Sequence, residues 1–137
     1  MTDRFLLRRI EPTDTTFGFT CGRAALDEFL TQYAIENTVS GWSTTYVAVD
    51  TQEDDRIAGF VTVLPASVSH ALAKGVLPDL PEQPSPVLLL ARMGVDPYYR
   101  GGETRHRIGP QMVDLVCSEA VALADRFGCV GVMTDAK

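Results

Sequence analysis

Apolar positions recur every three to four residues between Arg23 and about Thr38, with Leu26, Phe29, Leu30, Tyr33 and Asn37 on one stripe and Asp27, Glu28, Gln32 and Glu36 on other faces. That period predicts an amphipathic helix, and Gly41 is placed to stop it. A second such stripe, Met112, Leu115, Val116, Ala120, Leu123 and Phe127, predicts a helix from Pro110 to about Phe127, closed by Gly128. Between and around these helices lie runs with strand composition. Phe5–Ile10 is the first, and Pro12, Asp14 and Gly18 break it. Thr44–Val49 and Arg56–Leu64 flank the polar turn Asp50–Asp55 and read as an antiparallel hairpin. Ala66–Gly75 reads as a short helix, and Leu77–Pro86, with four prolines, as an irregular excursion. Val87–Val95 is nearly all apolar, as a strand covered on both faces should be, and Arg92 and Gly94 interrupt it. A glycine there suggests a bulge or a close approach to the backbone. Cys129–Thr134 closes the order as a last, edge strand.

The alternation of strands and helices over 137 residues fits one domain of mixed α and β structure, long enough to bury a core. With 45% hydrophobic and 22% charged residues, the chain is too apolar for intrinsic disorder. No apolar run exceeds five residues, so none has the length of a membrane-spanning helix, and Met1–Arg4 opens no apolar leader. Three cysteines, Cys21, Cys117 and Cys129, are odd in number and far apart, which argues against disulfides or a zinc site. Cys117 and Cys129 sit in apolar surroundings and read as small core residues in a reducing compartment.

The net charge is −6, which argues against a general nucleic-acid binder but not against a local cationic site. Arginines gather early (Arg4, Arg8, Arg9, Arg23) and again late (Arg100, Arg105, Arg107). The late group lies between a buried strand and a helix start, with Arg100-Gly101-Gly102 opening the loop and Arg107-Ile108-Gly109 closing it. The free N–H groups and the dipole of a helix N-terminus attract anions, and arginines pair with phosphate oxygens. A solvated loop is the plain alternative. The spacing is neither that of a P-loop nor that of a dinucleotide fingerprint. An interrupted strand beside an anion loop suits a ligand with a pyrophosphate and a peptide-like arm, such as coenzyme A.

The segment Pro86-Val-Leu-Leu-Leu-Ala-Arg-Met-Gly-Val-Asp-Pro-Tyr-Tyr-Arg-Gly resembles the central strand and phosphate loop of the GNAT superfamily of acetyl-CoA-dependent N-acetyltransferases. Phe19-Thr-Cys-Gly-Arg-Ala-Ala-Leu-Asp-Glu-Phe-Leu, Thr44-Thr-Tyr-Val-Ala-Val-Asp and Thr134-Asp-Ala-Lys narrow the resemblance to the toxins that acetylate the amino group of aminoacyl-tRNA and pair with a ribbon-helix-helix antitoxin. The resemblance implies an α/β (α+β) fold with a mixed, mostly antiparallel sheet flanked by helices. It implies acetyl-CoA as cosubstrate, while the cysteine usage fits a cytoplasmic protein with no metal and the edge strand Cys129–Thr134 predicts a homodimer. The backbone of Met93, Gly94 and Val95 would align the pantetheine, and Arg100, Gly101, Gly102, Arg107, Ile108 and Gly109 would hold the pyrophosphate. Arg92 and Tyr46 would meet the acceptor, with a salt-bridged structural arginine as the alternative for Arg92. The family loop is more compact; here Gly-Glu-Thr-Arg-His-Arg expands it. The family also continues with a further helix and strands, including an aromatic-Tyr-x-x-x-Gly-Phe segment whose tyrosine protonates the departing thiolate. On this resemblance residues 1–137 are a single domain incomplete at its C-terminus, with no catalytic residue assigned. A catalytically impaired binding module and an acetyltransferase for small molecules or proteins are the alternatives.

Overall fold

A computed structural model describes residues 4–100 and 106–134. Its elements are β1 (Phe5–Arg9), α1 (Ala24–Gln32), α2 (Ala34–Ser40), β2 (Thr44–Asp50), β3 (Arg56–Val68), α3 (His70–Ala73), β4 (Ser85–Val95), a 3-10 turn (Pro97–Tyr99), α4 (Ile108–Arg126) and β5 (Val132–Thr134). The strands form one sheet in the order β1-β2-β3-β4-β5. The first three pairings are antiparallel, and β5 runs parallel to β4. Helices α1 and α2 cover one face, where Phe29, Leu30 and Ala34 pack on Val47, Val49, Ile57 and Phe60. Helix α4 covers the other, where Ile108, Met112, Val116 and Ala120 pack on Ala48, Ala58, Val61, Val63 and Leu88. No helix among the described residues is long and apolar enough to cross a membrane.

Several local expectations need correction. The first helix is two, because Tyr33 leaves helical geometry (φ −123°) at the junction of α1 and α2. The buried line then runs Leu30, Ala34, Thr38 and leaves Tyr33 half exposed. Thr38 is satisfied in the core, accepting from the backbone N–H of Thr45. The run Ala66–Val68, expected to be helical, extends β3 because it pairs with Ser85–Val87 across the sheet. Its residues have little strand propensity, so the partner strand decides. Only His70–Ala73 is helical. The last strand is shorter than expected, Val132–Thr134, and Cys117 is exposed on α4, not a core residue. Phe127 ends α4 exposed to solvent, outside the buried stripe.

Two irregularities mark β4. The β3–β4 register slips between Thr62 and Val63, which makes Ala91 the extra residue of a bulge. And β5 pairs with Leu88–Leu90 only, so over Ala91–Val95 that side of β4 has no strand partner among the described residues. The sheet therefore opens along the second half of its most apolar strand.

Candidate anion-binding cleft

Where β4 ends, Asp96 caps the 3-10 turn by accepting from the Tyr98 N–H at 3.0 Å, and the chain turns toward α4. Between them lies a cleft of about 540 Å³ lined by Val95, Tyr99, Arg100, His106, Arg107, Ile108, Gly109 and Pro110. Five of the expected coenzyme residues, Val95, Arg100, Arg107, Ile108 and Gly109, thus share one wall-to-wall space. Gly101, Gly102 and Arg105 lie outside the described residues.

The helix begins two residues earlier than the proline suggests. Ile108 and Gly109 occupy its first two positions and Pro110 the third. The N–H groups of Ile108 and Gly109 therefore have no carbonyl within the helix to reach, while Pro110 brings no N–H that would need one. Arg107 precedes them in the left-handed region (φ 55°, ψ 40°), with no side-chain cap. A non-glycine residue there costs on the order of 1–2 kcal/mol and marks a backbone held open by its surroundings. Ile108 itself is buried in the core, so it offers the cleft only its backbone. Arg100 and Arg107 are exposed, and the Arg100 guanidinium donates to the Cys21 carbonyl at 3.4 Å. Arg100 and Arg107 line this cleft beside the free N–H groups of Ile108 and Gly109, and guanidinium and helix-start amide groups are the donor types suited to a phosphate-bearing ligand.

Gly59 sets how deeply the helix start sits. A Cβ there would fall 3.0 Å from Ile108 Cγ2 and 3.1 Å from both the Gly94 carbonyl and Met112 Cε. Gly94 shows the close approach that its sequence context suggested. It is buried, and what approaches it is the protein itself, since a Cβ would meet Cys21 Sγ at 3.0 Å and the Phe60 ring at 3.1 Å. Burial also raises the Cys21 thiol pKa.

The floor of the cleft is a charge network. Tyr99, buried, donates its hydroxyl to Asp50 at 2.7 Å. Asp50 has no exposed surface and receives both arms of Arg4, at 2.9 and 3.0 Å. These bonds, Arg4 first and then Tyr99 and the Gln52 N–H, hold the Asp50 carboxyl at about 2. Burial and Asp50 together push the Tyr99 phenol well above its ordinary value, and its proton is engaged by Asp50. Asp14 is likewise held low by Arg8, at 2.6 and 2.8 Å. Both carboxylates contribute stability that is present above their unfolded pKa and is lost as pH falls through the folded one. Stability is expected to drop between about pH 4 and about pH 2. Urea midpoints followed across that range should fall more gently for Asp50→Asn, and equal slopes would show that Asp50 carries no proton linkage.

The two expected acceptor residues lie on opposite faces of the sheet. Arg92 is exposed on the α1 face, with its guanidinium 4.1 Å from the centre of the Phe29 ring. Among the described residues no carboxylate pairs with it. Tyr46 packs on the α4 face and lines a separate groove with Glu119, Leu123 and Phe127. Burial raises its phenol pKa, and Glu119 adds to the rise. The structure thus does not bring Arg92 and Tyr46 to one site. Sequence reasoning missed Asp50, read as the start of a turn. A lone aspartate after a β-rich run gave no sign of burial.

No protein-family model matches the chain. A tRNA-acetylating toxin of Mycobacterium tuberculosis (strain ATCC 25618 / H37Rv) is 33% identical over 130 residues, 94% of this chain and 74% of the relative. The chain belongs to the tRNA-acetylating toxins. Solved structures agree on the fold. AtaT complexed with acetyl-methionyl-tRNAfMet superposes with a TM-score of 0.84 at 17% identity, over 96% of this chain and 78% of that one. A mutant AtaT toxin bound to acetyl-CoA and the C-terminus of the antitoxin AtaR gives 0.80 at 17% identity, over 98% and 77%. The five-stranded, mostly antiparallel sheet with flanking helices is therefore the one this family of GNAT-like toxins uses.

Proposed function

We propose that this chain transfers the acetyl group of acetyl-CoA to the amino group of an aminoacyl-tRNA, as the toxin of a toxin–antitoxin pair. The observation that carries it is the cleft at the β4–α4 junction, in a chain 33% identical to a tRNA-acetylating toxin. The donor set fits the coenzyme. Arg100, Arg107 and the N–H groups of Ile108 and Gly109 match a pyrophosphate in charge and geometry. The unpaired side of Ala91–Val95 offers backbone groups to the amide-bearing arm, so Met93, Gly94 and Val95 would align it by strand-like hydrogen bonds. Bound there, acetyl-CoA supplies an activated acyl group.

The protein's own contribution is placement. Holding the thioester along β4 beside a bound amine converts a bimolecular encounter into a local one. Arg92, exposed at the bulge and braced on Phe29, would attract the acidic acceptor from the α1 face. Tyr46, on the other face, has no place in that geometry except through the sheet. The same reading makes the protein cytoplasmic, where charged tRNA is found, and homodimeric.

The test is direct. Purified protein incubated with labelled acetyl-CoA and aminoacyl-tRNA should yield N-acetylated aminoacyl-tRNA. Coenzyme binding without transfer would reduce the chain to a binding module. Transfer to small amines or proteins in preference to tRNA would replace the acceptor.

A further inference from the structure

We propose that Tyr99 and Asp50 are a positioning pair for the cleft, fixing its two rims relative to each other through one buried ring. The inference rests on the reading of the cleft as the coenzyme site. Arg100 follows Tyr99 directly in the chain, so the orientation of Tyr99 sets where the Arg100 guanidinium starts. Across the cleft the His106 ring meets Tyr99 at 5.9 Å and Phe5 at 4.9 Å, with Arg107 and the helix amides next in sequence. Tyr99 in turn stands edge-on to Phe5 at 5.5 Å and to Tyr98 at 5.0 Å. One aromatic cluster therefore touches both ends of the loop.

The Tyr99–Asp50 hydrogen bond locks that cluster. Rings alone leave Tyr99 free to slide and tilt, since edge-to-face contacts are broad in geometry. A hydroxyl on a buried carboxylate at 2.7 Å removes that freedom. Asp50 is itself fixed, at the end of β2 and opposite Phe5, by the two-armed contact with Arg4. The arrangement also settles an electrostatic problem. An unpaired carboxylate beneath a phosphate cleft would repel the ligand, and Arg4 neutralises it in place.

The experiment compares wild type, Tyr99→Phe and Thr38→Val by calorimetric titration with coenzyme A and by acetyl-transfer kinetics. Tyr99→Phe keeps the ring and the Arg4–Asp50 pair and removes only the lock. Thr38→Val removes a buried hydrogen bond of similar size on α2, far from the cleft. Tyr99→Phe is expected to raise the coenzyme Kd, and KM for acetyl-CoA, about tenfold while kcat changes less than about twofold. Thr38→Val should leave both constants within about twofold. If Tyr99→Phe binds as tightly as wild type, or if both variants weaken binding in step with lost thermal stability, the positioning role is overturned and the coenzyme reading stands. If wild type itself does not bind coenzyme A, the reading of the cleft falls, and this inference with it.

Discussion

Replacing Arg100 and Arg107 together by alanine is expected to weaken coenzyme A binding by about a hundredfold or more. Each guanidinium offers a charge-assisted, two-pronged contact to a phosphate, and such contacts contribute on the order of 1.5–3 kcal/mol. That is about ten- to a hundredfold apiece, and the two face one cleft. The single variants should each lose roughly tenfold. Arg107 also carries a backbone cost, because it sits at φ 55°. Arg107→Gly relieves that cost and removes the charge, so it is expected to gain about 1 kcal/mol of stability while losing affinity. Stability and binding moving in opposite directions would identify a residue kept strained for a ligand. Calorimetry at two salt concentrations is the check, since loss of ionic contacts flattens the salt dependence. Unchanged affinity in the double variant would place the phosphates elsewhere.

Phe60→Ala is expected to cost about 4 kcal/mol of folding stability. Phe60 is fully buried in the middle of β3. Its ring stands edge-on to Phe19 at 5.7 Å and stacks with Phe29 at 6.5 Å. The site cannot collapse easily, because its neighbours are rings and a sheet backbone. Domains of this size hold about 5–15 kcal/mol in total, so the variant would be close to unfolding. The damage should also reach the exposed surface of the α1 face, since Phe29 is the ring on which Arg92 rests. Urea unfolding followed by circular dichroism is the measurement, and a loss under about 1 kcal/mol would mean that the ring contacts carry little.

Periodicity made the helices and the hairpin legible, because an amphipathic stripe is written locally. The hidden part depends on partners. Ala66–Val68 becomes strand only because Ser85–Val87 lies beside it. Tyr33 breaks a helix whose sequence pattern runs on. The cleft was legible in outline from the run of Arg and Gly between a buried strand and a helix. Its detail was not. The left-handed turn falls on Arg107 rather than on a glycine, and the atoms that crowd Gly94 come from Cys21 and Phe60. Arg92 and Tyr46 are both polar groups in apolar strands, and nothing in composition tells which face each one takes. Asp50 shows the same limit from the other side, a buried ion whose partner stands 46 residues away.

Gly59 ties the evolution of the core to that of the ligand site. The first turn of α4 rests where that side chain is missing, with Ile108 Cγ2 at 3.0 Å from the absent Cβ. The amides of Ile108 and Gly109 ride on the same turn, so the height of the donor pair is a packing quantity. A side chain that fills this gap presses on Ile108 and Met112 and on the Gly94 carbonyl, and under the proposed function it is expected to shift the amide donors of the cleft. Directed searches for hardier variants of this toxin should therefore leave position 59 empty, and selection for weaker variants should find it early.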